Sequence, residues 1–541
     1  MFLKIVKSNG HTYLQLVHSY RVGYKVKHKI MANLGRFDSL EGNEQLIRLG
    51  ERFLKIAGMK EHGNPKIEEE KRLIYGHIVY QKLWDKWNLE TLIKNLIKNT
   101  KIEFNVENAV FLLTMDRLLT PQSKLKSFEN QERYVDIEKM SLHHFYRCLD
   151  VLCEGKEKIE ERLFERRKDI FNYKVDIVFY DVTTFHFESV IADDLRDFGF
   201  SKNAKFKEVQ VVLGLLVDSY GLPVGFDLFP GNTYEGDTLI KAIEKMKNRF
   251  CVGEIVVVSD KGMSSKKNFW KIRNAMYHYI ISMRLRALPI SLQKKILKKE
   301  DYKDLQCELD GKFRYKVIKD HVQMMINEEG EEEQEKVNLV CFWSEKKAKK
   351  DRADRERLIE KAKQKLAKGE TGNDKRGCRR YIRMAGNKKV LGLDEEQIKK
   401  DAKFDGYYVI ESSKSDLSAS QVITEYKRLW KIEDSFRIMK STLWTRPIFH
   451  WTPRRIKGHF VLCFIAFLLE RTLERKLKNN KIEASPQKIK SALNSLQVSL
   501  LNIDGKKYYL KGKMEKLGGE ILRVMKIKQP QNLIPVEKLK L

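Results

Sequence analysis

The alternation of apolar and polar positions changes character several times along the chain, and each change marks a boundary. Residues 1–67 carry short alternating runs such as TYLQLVHSY, with Gly10 and Gly23 at turn positions, which predicts a small N-terminal β-unit. From 68 to 170 the apolar residues recur at helical spacing, as in KRLIYGHIVYQKLWDKW, with Asn105 and Pro121 at breaks between helices. Between 171 and 285 the pattern predicts strands at VDIVFYDVTTF, VVLGLLVD and LPVGFDLF, a helix from Gly236 to Phe250, a buried strand at EIVVVSD, a helix at SSKKNFWKIRNAM and a strand at YHYIISMR. Three antiparallel strands followed by alternating helix and strand is the order of a ribonuclease H-like α/β core.

Residues 286–404 break that rhythm and read as an insertion domain, mainly β. Two strand-like runs, FRYKVIKDHVQMM and KVNLVCFW, flank the acidic block NEEGEEEQEK, expected as a solvated hairpin tip; a very charged helical segment, Glu345 to Lys368, and the basic run DKRGCRRYIRMAGNKK follow. The core resumes over 405–453, with the strand DGYYVIESS and a helix from Ser418 to Lys440. The stretch 454–541 is expected to be a helical C-terminal region.

Composition sharpens this picture. At 541 residues the chain exceeds one ordinary core and suggests three or four domains. Lys plus Arg total 105 against 74 Asp plus Glu, and the net charge of +31 favours a polyanionic partner, nucleic acid first. The helical segment 68–170 is then a candidate DNA-binding domain. The seven cysteines form no CxxC pair and no zinc spacing, which reads as reduced thiols of a cytoplasmic protein. The N-terminus lacks the apolar core of a signal peptide, and the longest apolar stretch, Phe460 to Leu469, falls short of the roughly 20 residues of a membrane span.

Candidate chemistry lies in carboxylates. An enzyme that cuts phosphodiesters with two metal ions needs several carboxylates on rigid elements. Asp181 closes the apolar run Ile177–Tyr180, and Asp260 closes Ile255–Val258, each at the end of a predicted buried strand; either one alone reads equally as a turn cap. On the helix after the last core strand, Tyr426, Glu433 and Lys440 follow at spacings of seven, which brings a phenol, a carboxylate and a cation near one face. Its alternative is an amphipathic helix with Glu433 and Arg437 paired.

Five strings in order, FYDVTTFHFES, GFSKN, PGNTYEGDTL, VVVSDKGMSS and YKRLWKIEDSFRIMKSTLWTRPIFHW, resemble the DDE transposases of bacterial insertion sequences, in particular the IS-four-like group with an insertion domain before the catalytic glutamate. The resemblance spans about 170 to 460. It implies that Asp181, Asp260 and Glu433 are catalytic and hold divalent metal, Mg2+ with Mn2+ as a substitute, two ions per site. It implies further that Lys440 binds a phosphate near the scissile bond and that Tyr426 holds the terminal DNA strand. The family signature has an arginine where this chain has Leu429, and Arg428 or Arg437 is the replacement guanidinium nearby. Ser201, Lys202 and Gln210 face either DNA or solvent. Asn232 and Thr233 read as turn residues, and Arg446 follows the family pattern as a DNA contact. For His450 and His459 a buried, hydrogen-bonded role is expected. The implied partners are double-stranded DNA, both transposon terminal repeats and target, and a second copy of the chain on that DNA; the implied setting is bacterial, cytoplasmic and nucleoid-associated. Two other readings stay open: a ribonuclease H-like nuclease that never joins strands, and a domesticated DNA-binding protein.

Overall fold

The computed structural model describes the chain apart from residues 41–42, 59–65, 172–174, 200–207, 251–254, 306–312, 369–376, 385–389 and 539–541. The described residues divide into two compact units, the smaller made of 1–71 with 500–509 and 535–538. In the smaller unit Phe2–Ser8, His11–Val22 and Lys25–Arg36 form an antiparallel sheet, as the alternation predicts. Gly10 and Gly23 turn its two hairpins at φ of +78° and +59°, a region that costs a residue without a side chain nothing. The stretch is not purely β, because Glu44–Ile56 is helical. Leu46, Ile47, Phe53 and Leu54 carry that helical spacing.

The tail of the chain also departs from expectation. After the helices Pro453–Asn479 and Pro486–Asn494 come strands Gln497–Ile503, Lys506–Lys511 and Leu533–Pro535, so 454–541 is not wholly helical. Asp504 and Gly505, at φ of 49° and 82°, close the first two as a tight hairpin. Within the small unit the Asp504 carboxylate accepts the Lys66 N–H at 3.1 Å, and Lys507 pairs with Glu70 at 3.0 Å.

The larger unit begins with buried helices. Asn105 is the N-cap of α1 (Val106–Leu119), its side chain accepting the Asn108 N–H at 3.0 Å, and α2 (Leu142–Phe171) packs beside it. A nine-stranded sheet follows. β1 (Ile177–His186), β2 (Gln210–Asp218) and β3 (Pro223–Pro230) form an antiparallel meander; α3 (Glu235–Phe250) leads to β4 (Val256–Ser259), and α4 (Lys266–Asn274) to β5 (His278–Ser282). β4 runs parallel to both β1 and β5. One face of this sheet, including Val178, Tyr180, Val212 and Leu216, packs on Leu239 and Phe250 of α3 and on Phe269 and Ile272 of α4. Every residue of β2 is buried, as expected of a strand covered on both faces.

The long strands of 286–404 join the main sheet, and the short strands Ile382–Met384 and Val390–Leu393 pair as a two-stranded sheet of their own. β6 (Lys303–Leu305), β7 (Phe313–Ile326) and β8 (Glu332–Ser344) continue the main sheet through β9 (Tyr407–Ser412), giving the order β6-β7-β8-β9-β5-β4-β1-β2-β3. The segment is not mainly β: α5 (Glu345–Ala367) is 23 residues long, started by the Ser344 hydroxyl accepting the Lys347 N–H. The acidic hairpin is not simply solvated. Glu333 accepts from Trp270 Nε1 at 2.8 Å and pairs with Arg273 at 2.9 Å, Glu332 pairs with Lys266 at 2.6 Å, and Glu328 pairs with Lys271, so it grips the basic face of α4.

After β9 come α6 (Ala419–Lys427), α7 (Trp430–Arg437) and α8 (Pro453–Asn479). Phe460 and Phe464 of α8 meet Phe185 and Phe226 of the sheet at ring-centroid distances of 5.2 and 5.4 Å, so the apolar run 460–469 is a core helix on the sheet's second face.

Candidate active site

β1 and β4 set the geometry. Their last paired positions are Phe179 and Val258, and two residues further along each chain stand Asp181 and Asp260. In a parallel pair such residues are neighbours at the same end of the sheet, where ligands commonly bind. β1 continues to His186 against β2, so Asp181 is not at the end of its own strand; it stands where its parallel neighbour stops. Asp181 is half-buried and accepts the Val182 N–H at 2.8 Å. Asp260 is exposed and accepts the Lys261 N–H at 2.7 Å, capping a short turn. The capping and ligand readings of Asp260 thus coexist.

The glutamate helix is less regular than its sequence. α6 ends at Lys427, and the linking turn is tightened by bonds from Leu429 N to Tyr426 O and Lys431 N to Arg428 O. Past α7 the backbone makes a π-helical turn, Ile438–Thr442. Two of the three candidate side chains, those of Tyr426 and Lys440, nevertheless reach the sheet end. Tyr426 lines the cleft beside Ser282 at the end of β5, and burial pushes its hydroxyl up to about 12, with the charges of Asp260 and Glu433 adding to the rise. The Ser282 hydroxyl in turn donates to Asp260 at 3.4 Å. Glu433 is exposed in the first turn of α7. Lys440 Nζ donates to Thr183 Oγ1 at 2.5 Å and lies 5.2 Å from the Phe185 ring, two and four residues beyond Asp181.

Other residues separate from this group. Arg437 pairs with Asp434 rather than Glu433, and Arg428 pairs with Glu425 at 2.5 Å. Leu429 is half-buried at the N-cap of α7. Arg446 is half-buried in the loop before α8. Ser201 and Lys202 lie outside the described residues. Gln210 faces neither DNA nor solvent: it is buried and donates to Gly231 O at 2.8 Å. Gly199 and Gly231 pack backbone on backbone there, and a Cβ on Gly231 would stand 2.2 Å from the carbonyl oxygens of Asp197 and Gln210. The PGNT turn is closed by Thr233 N to Pro230 O at 3.0 Å. His459 is buried as expected, between Lys124 Nζ at 2.8 Å and Thr445 O at 2.9 Å, with His450 buried beside it; burial lowers the pKa of both rings, that of His450 to about 3.

Sequence reasoning missed Arg471. It is 12% exposed on α8, pairs with Asp434 and with Glu474 at 2.6 Å each, and donates to Ser435 Oγ at 3.3 Å. It therefore anchors the two residues that follow Glu433. No local pattern shows this, because the partner lies 37 residues away.

A cleft of about 780 Å³ opens at Asp260 and Tyr426 and runs under α5, lined by Arg284, Arg286, Lys347 and Arg355 with Tyr407 and Tyr408. An all-oxygen set of carboxylates suits a hard divalent cation. The placement of Asp181 and Asp260 fits such an ion. Among the described residues no three His, Cys, Asp or Glu side chains enclose a single point.

A family model for the transposase DDE domain matches residues 174–469, more than half of the chain, and the chain belongs to the DDE transposases. A second, for the N-terminal domain of IS1634 family transposases, matches residues 3–59, which makes it a transposase of an insertion sequence. Domains of this family use divalent metal ions and act on DNA. Among solved structures, an electron cryo-microscopy structure of the piggyBac transposase synaptic complex with hairpin DNA matches with a TM-score of 0.35 and 9% identity, covering 80% of this chain and 83% of that one. A search of curated proteins gave no match. Among the described residues no helix is long and apolar enough to cross a membrane.

Proposed function

We propose that this transposase cuts DNA at the ends of its own element and joins the freed 3′ ends to target DNA in one site made by Asp181, Asp260 and Glu433. The observation that carries this is the placing of Asp181 and Asp260 side by side on neighbouring parallel strands, with Tyr426 lining the same cleft as Asp260. The five-strand portion β3-β2-β1-β4-β5 has the order expected of a ribonuclease H-like core, assigned to 171–285 and 405–453, with 286–404 inserted between.

The three carboxylates would hold two Mg2+ ions, or Mn2+, which when bound activate the attacking oxygen and stabilise the leaving one. The remaining work falls to the chain. Lys440, fixed by Thr183 beside Asp181, is placed to neutralise a phosphate next to the scissile bond. Tyr426, lining the cleft beside Ser282, offers its ring to the terminal strand. Arg437 and Arg446 are the further guanidinium contacts, and Lys202 a further cation. Because an element has two ends, two copies of the chain act together on DNA, in the bacterial cytoplasm at the nucleoid.

The test is incubation of the purified protein with a labelled duplex carrying the DNA that flanks its own gene, with Mg2+ or Mn2+ against a chelator, on a denaturing gel. Metal-dependent cuts at a defined end followed by joined product are expected. Cuts without joining would favour a nuclease, and binding alone a domesticated DNA-binding protein.

A further inference from the structure

The inserted helix α5 carries ten Lys or Arg against five Asp or Glu. Its faces are unequal. At 3.6 residues per turn, Lys347, Asp351, Asp354, Arg355 and Leu358 share one side, and these are the residues that line the cleft opening at Asp260. Immediately around the helix, Lys346, Lys350, Arg357 and Lys361 fall within an arc of about 60° and along about 22 Å of axis, and no Asp or Glu falls within that arc. All four are exposed. Arg357 leans on Asp354 at 3.3 Å, with the arginine side chain 76% exposed, whereas Lys346, Lys350 and Lys361 make no ion pair among the described residues. A helix that existed only to stay in solution would gain by interleaving signs along each face, as i,i+4 pairs of opposite charge do. This stripe instead sums four like charges at the lip of a cleft that ends at a catalytic carboxylate.

We infer that the stripe Lys346, Lys350, Arg357 and Lys361 is a phosphate-binding surface that holds duplex DNA across the mouth of the cleft, so that the inserted segment is a DNA clamp. The inference rests on the transposase reading of the Asp260 site. Duplex DNA presents phosphates densely enough along its axis that a straight cationic row of this length finds one for each side chain. Because such contacts release counterions, they act through charge alone and carry no sequence information.

The test is the salt dependence of binding. Anisotropy of a labelled end duplex is measured from 50 to 300 mM salt, with chelator present, for the wild type and for the combined variant Lys346→Gln, Lys350→Gln, Arg357→Gln, Lys361→Gln. The slope of log affinity against log salt is expected to fall in magnitude by about 3 to 4, at roughly 0.9 per lost contact. The variant Lys346→Arg, Lys350→Arg, Arg357→Lys, Lys361→Arg should keep the wild-type slope, and Arg352→Gln with Lys363→Gln, on another face, should change it by less than 1. A slope unchanged in the four-glutamine variant, with an unchanged thermal melt, overturns the inference. That outcome is separable from failure of the function itself, since the wild type would still make metal-dependent cuts; a wild type that neither binds nor cuts the ends would remove both.

Discussion

Two neighbours in the chain, Glu433 and Asp434, stand for two regions of the molecule. Glu433 is exposed in the first turn of α7, as Asp260 is at the end of β4. Asp434 turns inward to Arg471, where both side chains are close to nine-tenths buried. Other interior acids follow the second pattern: Glu411 is fully buried near the end of β9 and accepts the Tyr279 hydroxyl at 2.6 Å, and Glu470 accepts the Tyr80 hydroxyl at 2.5 Å. Burial raises the pKa of both, Glu411 to about 7. Asp260 and Glu433 stay in contact with solvent, while the acids inside are neutralised by a partner or a proton. Substitution should therefore separate activity from stability cleanly.

The largest effect is expected at the cleft. Asp181→Asn, Asp260→Asn and Glu433→Gln should each slow end cleavage on the order of 10³-fold or more, the scale of several kcal/mol of lost charge stabilisation, while a urea melt shifts by no more than about 0.5 kcal/mol for the exposed Asp260 and Glu433. A melt that collapses with activity would erase the contrast. Next, Arg471→Met takes from Glu474 and Asp434 the cation they share, leaving Asp434 only the exposed Arg437, and equilibrium urea unfolding should show a loss of about 3–5 kcal/mol.

Glu411 gives the comparison a pH signature. Its folded pKa of about 7 lies above its ordinary 4.5, so the folded state binds the proton more tightly than the unfolded one. Its contribution is complete below pH 4.5 and is lost as pH rises through 7, on the order of 3 kcal/mol across that window. Glu411→Gln should remove this slope in melts taken from pH 5 to 8; an identical slope in the variant would place its origin elsewhere. The smallest effect belongs to the partner on the outside. Arg437 pairs with the same Asp434 as Arg471 does but is 75% exposed, and Arg437→Met should cost at most about 0.5 kcal/mol in the same melts.

What the sequence revealed follows the same division. Buried strands were legible because β1, β2 and β4 are near-continuous apolar runs, and Asp181 and Asp260 stood out by ending or interrupting them. The seven-residue spacing of Tyr426, Glu433 and Lys440 was legible too, although the tightened turn and the π-turn were not, since backbone hydrogen bonds of one more or one fewer residue leave no mark in side-chain pattern. The joining of the insertion to the main sheet was hidden, because it depends on β8 pairing with β9 across the whole of α5. The acidic hairpin has the exposed tip expected of it, but its ion pairs were hidden for a related reason: the partners Lys266, Lys271 and Arg273 lie some 60 residues earlier. Arg471 and Gln210 are further cases in which a polar residue takes its meaning from a remote contact.

The central claim is that Asp181, Asp260 and Glu433 converge on one metal site. Fe2+ with ascorbate and peroxide, in place of Mg2+ on the protein bound to its end duplex, generates hydroxyl radicals that cut the polypeptide close to the bound ion. The account predicts three backbone cuts, near residues 181, 260 and 433, suppressed by excess Mg2+ and lost together in Asp260→Asn. Cuts at only one of these places, or a set that survives Asp260→Asn, would contradict it.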